Sequence, residues 1–478
     1  MDSFERLGVW WLPDEPDRDV AGVLRWSREE GVRLDLVGRL QEPETSNLFG
    51  REGLPHYSIV HGMLKDKVQR SMDRAVTLLG CQVMRDSGET SLPSEDVRAT
   101  IALLDHYFTT TEPRFDHLKL RFDYLWDWAG ISGFEHREVD ADFTRWSMSW
   151  QLPDYLSASG IDNETITLGL GRKENLSIKP IRGLEEFAEI VVEVAEPLTI
   201  DELGDQYLRP IQNLLTLGVD YPVQVTSVRL SSPDVLAVTM DGTVRGRDYV
   251  HMLRQPGPHT VAPRRYQPYA HDMLFTLDDY ESGWPQLIPT WLQLQDKLEL
   301  AGDVFFGTRY APASYLETRF LSIAQAVEGY HRRCFSNEDI PAEEHSRRLE
   351  EVLSAILEQH LEWAGSKLKY ANEPSYARRI KELIKTTDPL LRQLLGKTSR
   401  FARAAVQSRN FYTHLKQESE DAVARGEDLF WLTEKLSWLL RVRLLLDLGF
   451  THKHCAELLE RNRAFRWAVA ARPDTKNS

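Results

Sequence analysis

The chain has 478 residues, 42% hydrophobic and 27% charged, which is too long for one hydrophobic core and leads us to expect two or three domains. Its longest apolar runs, such as LLRVRLLLDLGF, carry arginine and aspartate and fall short of the roughly 18 apolar residues of a membrane span. The formal net charge of −15 is uneven: residues 290–478 hold 29 basic and 26 acidic residues, residues 1–289 hold 29 and 47, so the acidic front half is a poor nucleic-acid surface.

The opening MDSFERLGVW has neither the basic start nor the apolar core of a secretory signal, so a cytoplasmic protein with no membrane partner is expected. Cys81, Cys334 and Cys455 are odd in number and far apart, which fits neither a zinc motif nor a disulfide framework and predicts reduced core thiols.

In chain order, VWWLP, VAGVLRWS, GVRLDLVGRL, YSIVHGMLK, AVTLLGCQVM, HLKLRFDYLW, FTRWSMSWQL, TITLGLG and FAEIVVEVAEP predict strands. They are rich in β-branched and aromatic residues, are broken by Pro, Asp and Gly, and alternate polar with apolar in HLKLRFDYL. An antiparallel sandwich or barrel-like domain follows. LTIDELGDQYLRPIQNLLTLG predicts a helix within it, capped by Thr199 with Glu202 three residues on, before the strands YPVQVTSVRL and VLAVTM. LGLGRKEN (168–175) has glycines but no phosphate-loop spacing, so a hairpin turn is expected there. FDYLWDWAG (122–130) is expected to be a core strand end. RQPGPHTVAPRRYQPY predicts a proline-rich connector, whose RRYQPYAHD end mixes cations with tyrosines and is a candidate for touching RNA or the other domain.

Near Trp284 the apolar period changes to helical. Helices are predicted in SYLETRFLSIAQAVEGYHRRC, EEHSRRLEEVLSAILEQHLEWAG, PSYARRIKELIKTT, TSRFARAAVQSRNFYTHLKQ, DLFWLTEKLSWLLRVRLLLDLGF and THKHCAELLERNRAFRWAV. The expected class is α+β multidomain: an antiparallel β-rich domain over 1–285, then an all-α bundle over 286–472.

SRNFYTHLKQ (408–417) places Arg409, Asn410 and His414 in one predicted helix. This is either a solvated face or a catalytic group. Asn410 and His414, four apart, share a face, so the amide is in reach of the imidazole. Arg409 and His414, five apart, lie about 140° around the axis, and a second subunit related by two-fold symmetry is one way to bring them together. Histidine moves protons near neutral pH, arginine holds phosphate, and RNA carries its own 2′-hydroxyl nucleophile. Such a trio suits RNA cleavage to a 2′,3′-cyclic phosphate and a 5′-hydroxyl, with no metal or other cofactor. The same arginine–histidine spacing recurs at Arg51/His56 and Arg254/His259, but there Gly and Pro interrupt it. His452 and Cys455 are too few for a metal site; a helix cap followed by a core cysteine is the better reading.

A late helix with arginine, a polar residue and histidine in such a bundle resembles the HEPN family. The earlier helix FLSIAQAVEGYHRR and the front strands WWL and LDLVGRL resemble its Apea-like branch, in which a β-rich N-terminal domain is fused to the bundle in phage-defence proteins. The resemblance implies a metal-independent endoribonuclease that works as a homodimer or higher homo-oligomer. It also implies abortive infection as the role, with the N-terminal domain responding to a phage-derived trigger. Carried over by position, Arg409, Asn410 and His414 are the catalytic residues and Glu328 is the acidic partner of the arginine. Tyr412 supports the site, and Lys416 and Arg403 bind the RNA, a tRNA or an mRNA. Two other classes stay open: a non-catalytic dimerisation or ligand-binding module, and a nucleotide transferase, although no paired-carboxylate nucleotide motif is present.

Overall fold

The computed structural model describes residues 3–41, 54–65, 74–87, 93–139, 146–160, 163–175, 183–233, 235–238, 243–254, 269–311, 315–414 and 423–471. The chain divides into two compact units, one of Met1–Leu215, Val223–Gln267 and Glu281–Pro289, the other of Thr216–Pro222, Pro268–Tyr280 and Thr290–Ser478.

The first unit is antiparallel β-structure. It begins with β1 (Phe4–Trp11), β2 (Val20–Ser27), β3 (Gly31–Val37), β4 (His56–Leu64), β5 (Arg74–Asp86) and β6 (Ser94–Leu104). These pair in the order β6-β3-β2-β1-β4-β5, and β5 pairs back to β6. The ring closes a six-stranded barrel and leaves those strands without a free edge. Its core holds Trp10, Leu24, Val32, Leu34, Val60, Val76 and Leu78. Trp10 lies opposite Gly62 on β4, and its ring fills the space a side chain would need: a Cβ on Gly62 would stand 2.2 Å from it.

After the barrel come β7 (Arg114–Phe122), α1 (Leu125–Ala129), β8 (Phe134–Val139), β9 (Trp146–Trp150), β10 (Leu156–Ser159), β11 (Thr165–Asn175) and β12 (Gly183–Thr199). Then follow α2 (Ile200–Leu203), α3 (Arg209–Val219), β13 (Val225–Ser231), β14 (Leu236–Val238), β15 (Val244–Arg247) and β16 (Val250–Arg254). Strand β16 pairs with the end of β6 and carries the sheet outward through β13, β7, β12, β11 and β10. On β7, Leu118, Leu120 and Phe122 are buried, and Lys119 and Arg121 alternate to the other face, as period-two geometry requires. Thr199 and Glu202 form the expected capping box.

Two local expectations are corrected in this unit. LGLGRKEN is no turn: it lies inside β11, paired residue by residue with β12 out to Asn175 opposite Gly183, because the long partner strand stabilises extended glycines that alone would favour a bend. FDYLWDWAG does not end as a strand. Tyr124 and Gly130 adopt left-handed conformations around α1, which buries Leu125, Trp128 and Ala129.

The second unit is helical: α4 (Gly283–Leu298), α5 (Leu300–Tyr310), α6 (Leu316–Cys334), α7 (Ala342–Ser354), α8 (Leu361–Leu368), α9 (Tyr376–Thr387), α10 (Arg392–Leu395), α11 (Thr398–His414), α12 (Glu427–Asp447), α13 (His452–Arg461) and α14 (Arg463–Ala471). Helices α4, which begins in the first unit, and α5 were not among the predicted helices, although the helical period was read from near Trp284; in α4, Pro285 sits in the first turn, where its missing N–H costs nothing, and Pro289 is accommodated inside. The single helix expected over 343–365 is two, α7 and α8, separated by a 3₁₀ turn at Glu358–His360. Helix α12 is largely buried from Leu429 to Leu445, with Phe430, Glu434, Lys435 and Arg443 half-buried, and α6, α9 and α11 pack against it. Its buried Arg441 is paired with Asp220 at 3.0 Å. No helix among the described residues is long and apolar enough to cross a membrane.

Candidate active site

Helix α11 turns Phe401, Ala402, Ala405 and Ser408 into the bundle. The spacing of that stripe leaves Arg409 and Asn410 at its edge, half-buried, and His414 exposed at its end. Arg409 Nη2 donates to Glu328 Oε2 on α6 at 3.0 Å. The other Glu328 oxygen accepts from Arg332 Nη2 at 3.3 Å, and Arg332 also pairs with Glu373 at 2.8 Å. Below the Arg409 guanidinium lies Tyr376 of α9, its ring centre 5.6 Å away. The Tyr376 hydroxyl is buried without a hydrogen-bond partner among the described residues, and burial, reinforced by the Glu328 carboxylate, pushes its pKa above the ordinary tyrosine value.

The other expected members are spread around this pair. Asn410 Oδ1 accepts a long hydrogen bond from Arg409 Nη1 at 3.4 Å, so the amide is turned toward the arginine. His414 makes no hydrogen bond to any described residue, and Arg403 is exposed on the same helix. Tyr412 is engaged in packing: its hydroxyl donates to the Ala424 carbonyl at 3.0 Å and its ring meets Phe320 edge-on. Lys416 lies outside the described residues, as do residues 264–268 of RRYQPYAHD. The structure thus brings Glu328, Arg409 and Asn410 into contact and places His414 exposed at the end of the same helix.

Sequence reasoning missed the layer behind Glu328. His331, one turn further along α6, is fully buried. Its Nδ1 accepts from Arg379 Nη1 at 3.0 Å, so its Nε2 carries the proton and donates to Glu382 Oε2 at 2.8 Å. Burial holds its pKa below the ordinary histidine value, with Arg379 adding to the shift against Glu382. Both ring nitrogens are occupied, so His331 orders α6 against α9 and is no proton carrier. The only signal in the sequence was the three-residue spacing from Glu328, which also describes an ordinary helix face. Elsewhere, Thr451 caps α13 and Cys455 is buried, its thiol pushed up to about 12, in agreement with the cap-and-core reading. A cleft of about 320 Å³ lined by Lys381, Lys385 and Arg392 opens at the start of α11, about 16 Å of helix from Arg409, and is distinct from this cluster.

Residues 5–291 match the family model for ApeA N-terminal domain 1, and residues 321–454 match that for Apea-like HEPN. This chain belongs to the ApeA-type HEPN family. Both Glu328 and the Arg409–His414 segment fall inside the matched HEPN region, and the barrel with its attached sheet falls inside the ApeA N-terminal match. Membership associates the chain with HEPN-type antiphage defence; HEPN domains generally are RNases and often dimerise. No curated protein and no solved structure gives a significant match to the ApeA-type chain.

Proposed function

We propose that this chain is a metal-independent endoribonuclease that acts in abortive infection. The observation that carries the proposal is the ion pair between Glu328 and Arg409, which holds a half-buried guanidinium ready on the helix that also bears Asn410 and His414. In the reaction, a base takes the proton of the RNA 2′-hydroxyl, whose oxygen attacks the adjacent phosphorus. The 5′-oxygen leaves and is protonated, giving a 2′,3′-cyclic phosphate and a 5′-hydroxyl. His414 is the general acid–base group, Arg409 stabilises the charge on the phosphorane, and Asn410 orients the phosphate. To reach substrate, Arg409 exchanges its carboxylate for a phosphate.

A homodimer completes the site. Arg409 and His414 diverge by about 140° on one helix, and a second copy of α11 packed alongside across a two-fold axis supplies the histidine. Lys416 and Arg403 hold the flanking RNA, tRNA or mRNA. The N-terminal domain responds to a phage-derived trigger in the cytoplasm. The test is cleavage of tRNA and mRNA in EDTA with mapped ends: wild type yields cyclic phosphates and His414→Ala yields none while keeping its fold. Undiminished cutting by His414→Ala moves the site elsewhere. The exposed, unpartnered state of His414 among the described residues favours one other reading, a non-catalytic dimerisation or ligand-binding module; an absence of metal-free cleavage by active oligomers would favour it.

A further inference from the structure

The strongest uncommitted feature lies in the ApeA N-terminal domain, on the polar face of its open sheet. Lys119 on β7 stands directly opposite Arg229 on β13, and Arg229 directly opposite His251 on β16. Arg121, two residues along β7, is on the same face. Like charges placed directly across a strand pair destabilise a sheet, so this arrangement needs compensation. The compensation present is incomplete. One oxygen of Glu189, on β12, accepts from Arg121 Nε at 3.0 Å and from Arg229 Nη2. Lys119 has no hydrogen-bond or ion-pair partner among the described residues; its ammonium sits over the Tyr249 ring at 4.1 Å from the centre. Arg121 is stacked on Phe187 at 3.3 Å. The aromatic rings therefore hold the cations in place without neutralising them. Burial keeps the Lys119 pKa below the ordinary lysine value, and both arginines add to that shift against Glu189.

We infer that Lys119, Arg121 and Arg229 form a binding site for a compact phosphate-type anion, the phosphate end of a small molecule, on the N-terminal domain. Glu189 is the one carboxylate in hydrogen-bond contact with these cations among the described residues and both its contacts are to the arginines, so the Lys119 ammonium is left without a direct counter-charge at a spot already half-removed from water, where an anion is bound most strongly. A planar guanidinium and a free ammonium supply the donors that phosphate takes. A polyanion is disfavoured, because the domain around the spot is acidic and Glu185 and Glu193 lie close enough to act on these cations. The site is separate from helix α11 and does not depend on RNA cleavage.

The test is calorimetric titration of the full chain with inorganic pyrophosphate, ATP and single-stranded RNA at fixed ionic strength, which keeps general screening equal among them. Saturable pyrophosphate binding in the millimolar range or tighter is expected, weakened about tenfold or more by Lys119→Met and by Arg229→Met. Lys119→Gln serves as a second variant if Lys119→Met does not fold. ATP binding equal to pyrophosphate marks the phosphate group alone as the ligand; tighter ATP binding marks a nucleotide. No saturable binding of pyrophosphate or ATP overturns the inference. So do variants that bind as wild type, or binding of RNA alone.

Discussion

Replacing Arg409 by Ala separates a structural ion pair from a catalytic one. In the structure the Arg409–Glu328 pair is partly screened, the two side chains being 34% and 20% exposed. Glu328 keeps Arg332 at 3.3 Å when Arg409 is gone, so no carboxylate is orphaned. A partly exposed pair contributes about 0.2–1 kcal/mol, and the stacking over Tyr376 about 0.5–1 kcal/mol. The variant should therefore lose about 1–2 kcal/mol, a fall in Tm of roughly 2–4 °C per kcal/mol for a unit of this size. Removing a charge-stabilising donor from a phosphorane costs far more in rate, about 10²–10³-fold, or about 2.7–4 kcal/mol. Arg409→Lys should recover the stability but little of the rate, because an ammonium lacks the fork. The assays are a thermal melt and single-turnover cleavage of end-labelled RNA in EDTA. Cleavage by Arg409→Ala within a few-fold of wild type would refute the catalytic assignment. A stability loss well above about 3 kcal/mol would show instead that the pair is a structural one.

The remaining predictions concern the surroundings of the site and the barrel. Tyr376→Phe removes a buried hydroxyl that has no partner among the described residues and should stabilise the helical unit by about 1 kcal/mol; a lower Tm would mean the hydroxyl is satisfied. His331 has a folded pKa below the ordinary 6.5, so the unfolded chain binds a proton there that the folded chain does not. Its contribution is present above pH 6.5 and is lost as pH falls from that value toward the folded pKa, at up to about 1.4 kcal/mol per pH unit. Denaturant melts across that window should show a shallower slope in His331→Gln, and an unchanged slope would exclude His331 as the source. Gly62→Ala drives a methyl into the fully buried Trp10 ring, 2.2 Å away, and should cost about 1–3 kcal/mol. A wild-type melt would show that the ring has room to move.

Part of this architecture is legible in local sequence because local physics suffices for it. The capping box of Thr199 and Glu202 needs only three residues of separation. The stripe of Phe401, Ala402, Ala405 and Ser408 is set by helical period, and so is the angle between Arg409 and His414. Residues that act through distant neighbours were not legible in the same way. Helix α4 was not among the predicted helices, and its Pro285 and Pro289 are carried in the first turn and inside the helix. The glycines of β11 were misread because their extended state comes from β12, whose pairing residues lie up to 28 positions away in Thr165 opposite Glu193.

The sequence by itself determined the switch from period two to helical period, the acidic front half, and the placing of arginine, asparagine and histidine within one helical segment. Those are short-range properties, encoded wherever the side chains are written. Only the tertiary structure decided that β5 returns to β6 to close a barrel and that Glu328, 81 residues from Arg409, holds its guanidinium. It alone set three cations side by side across β7 and β13. Each of these depends on which strands and helices become neighbours, and that choice is made by the packing of the whole core.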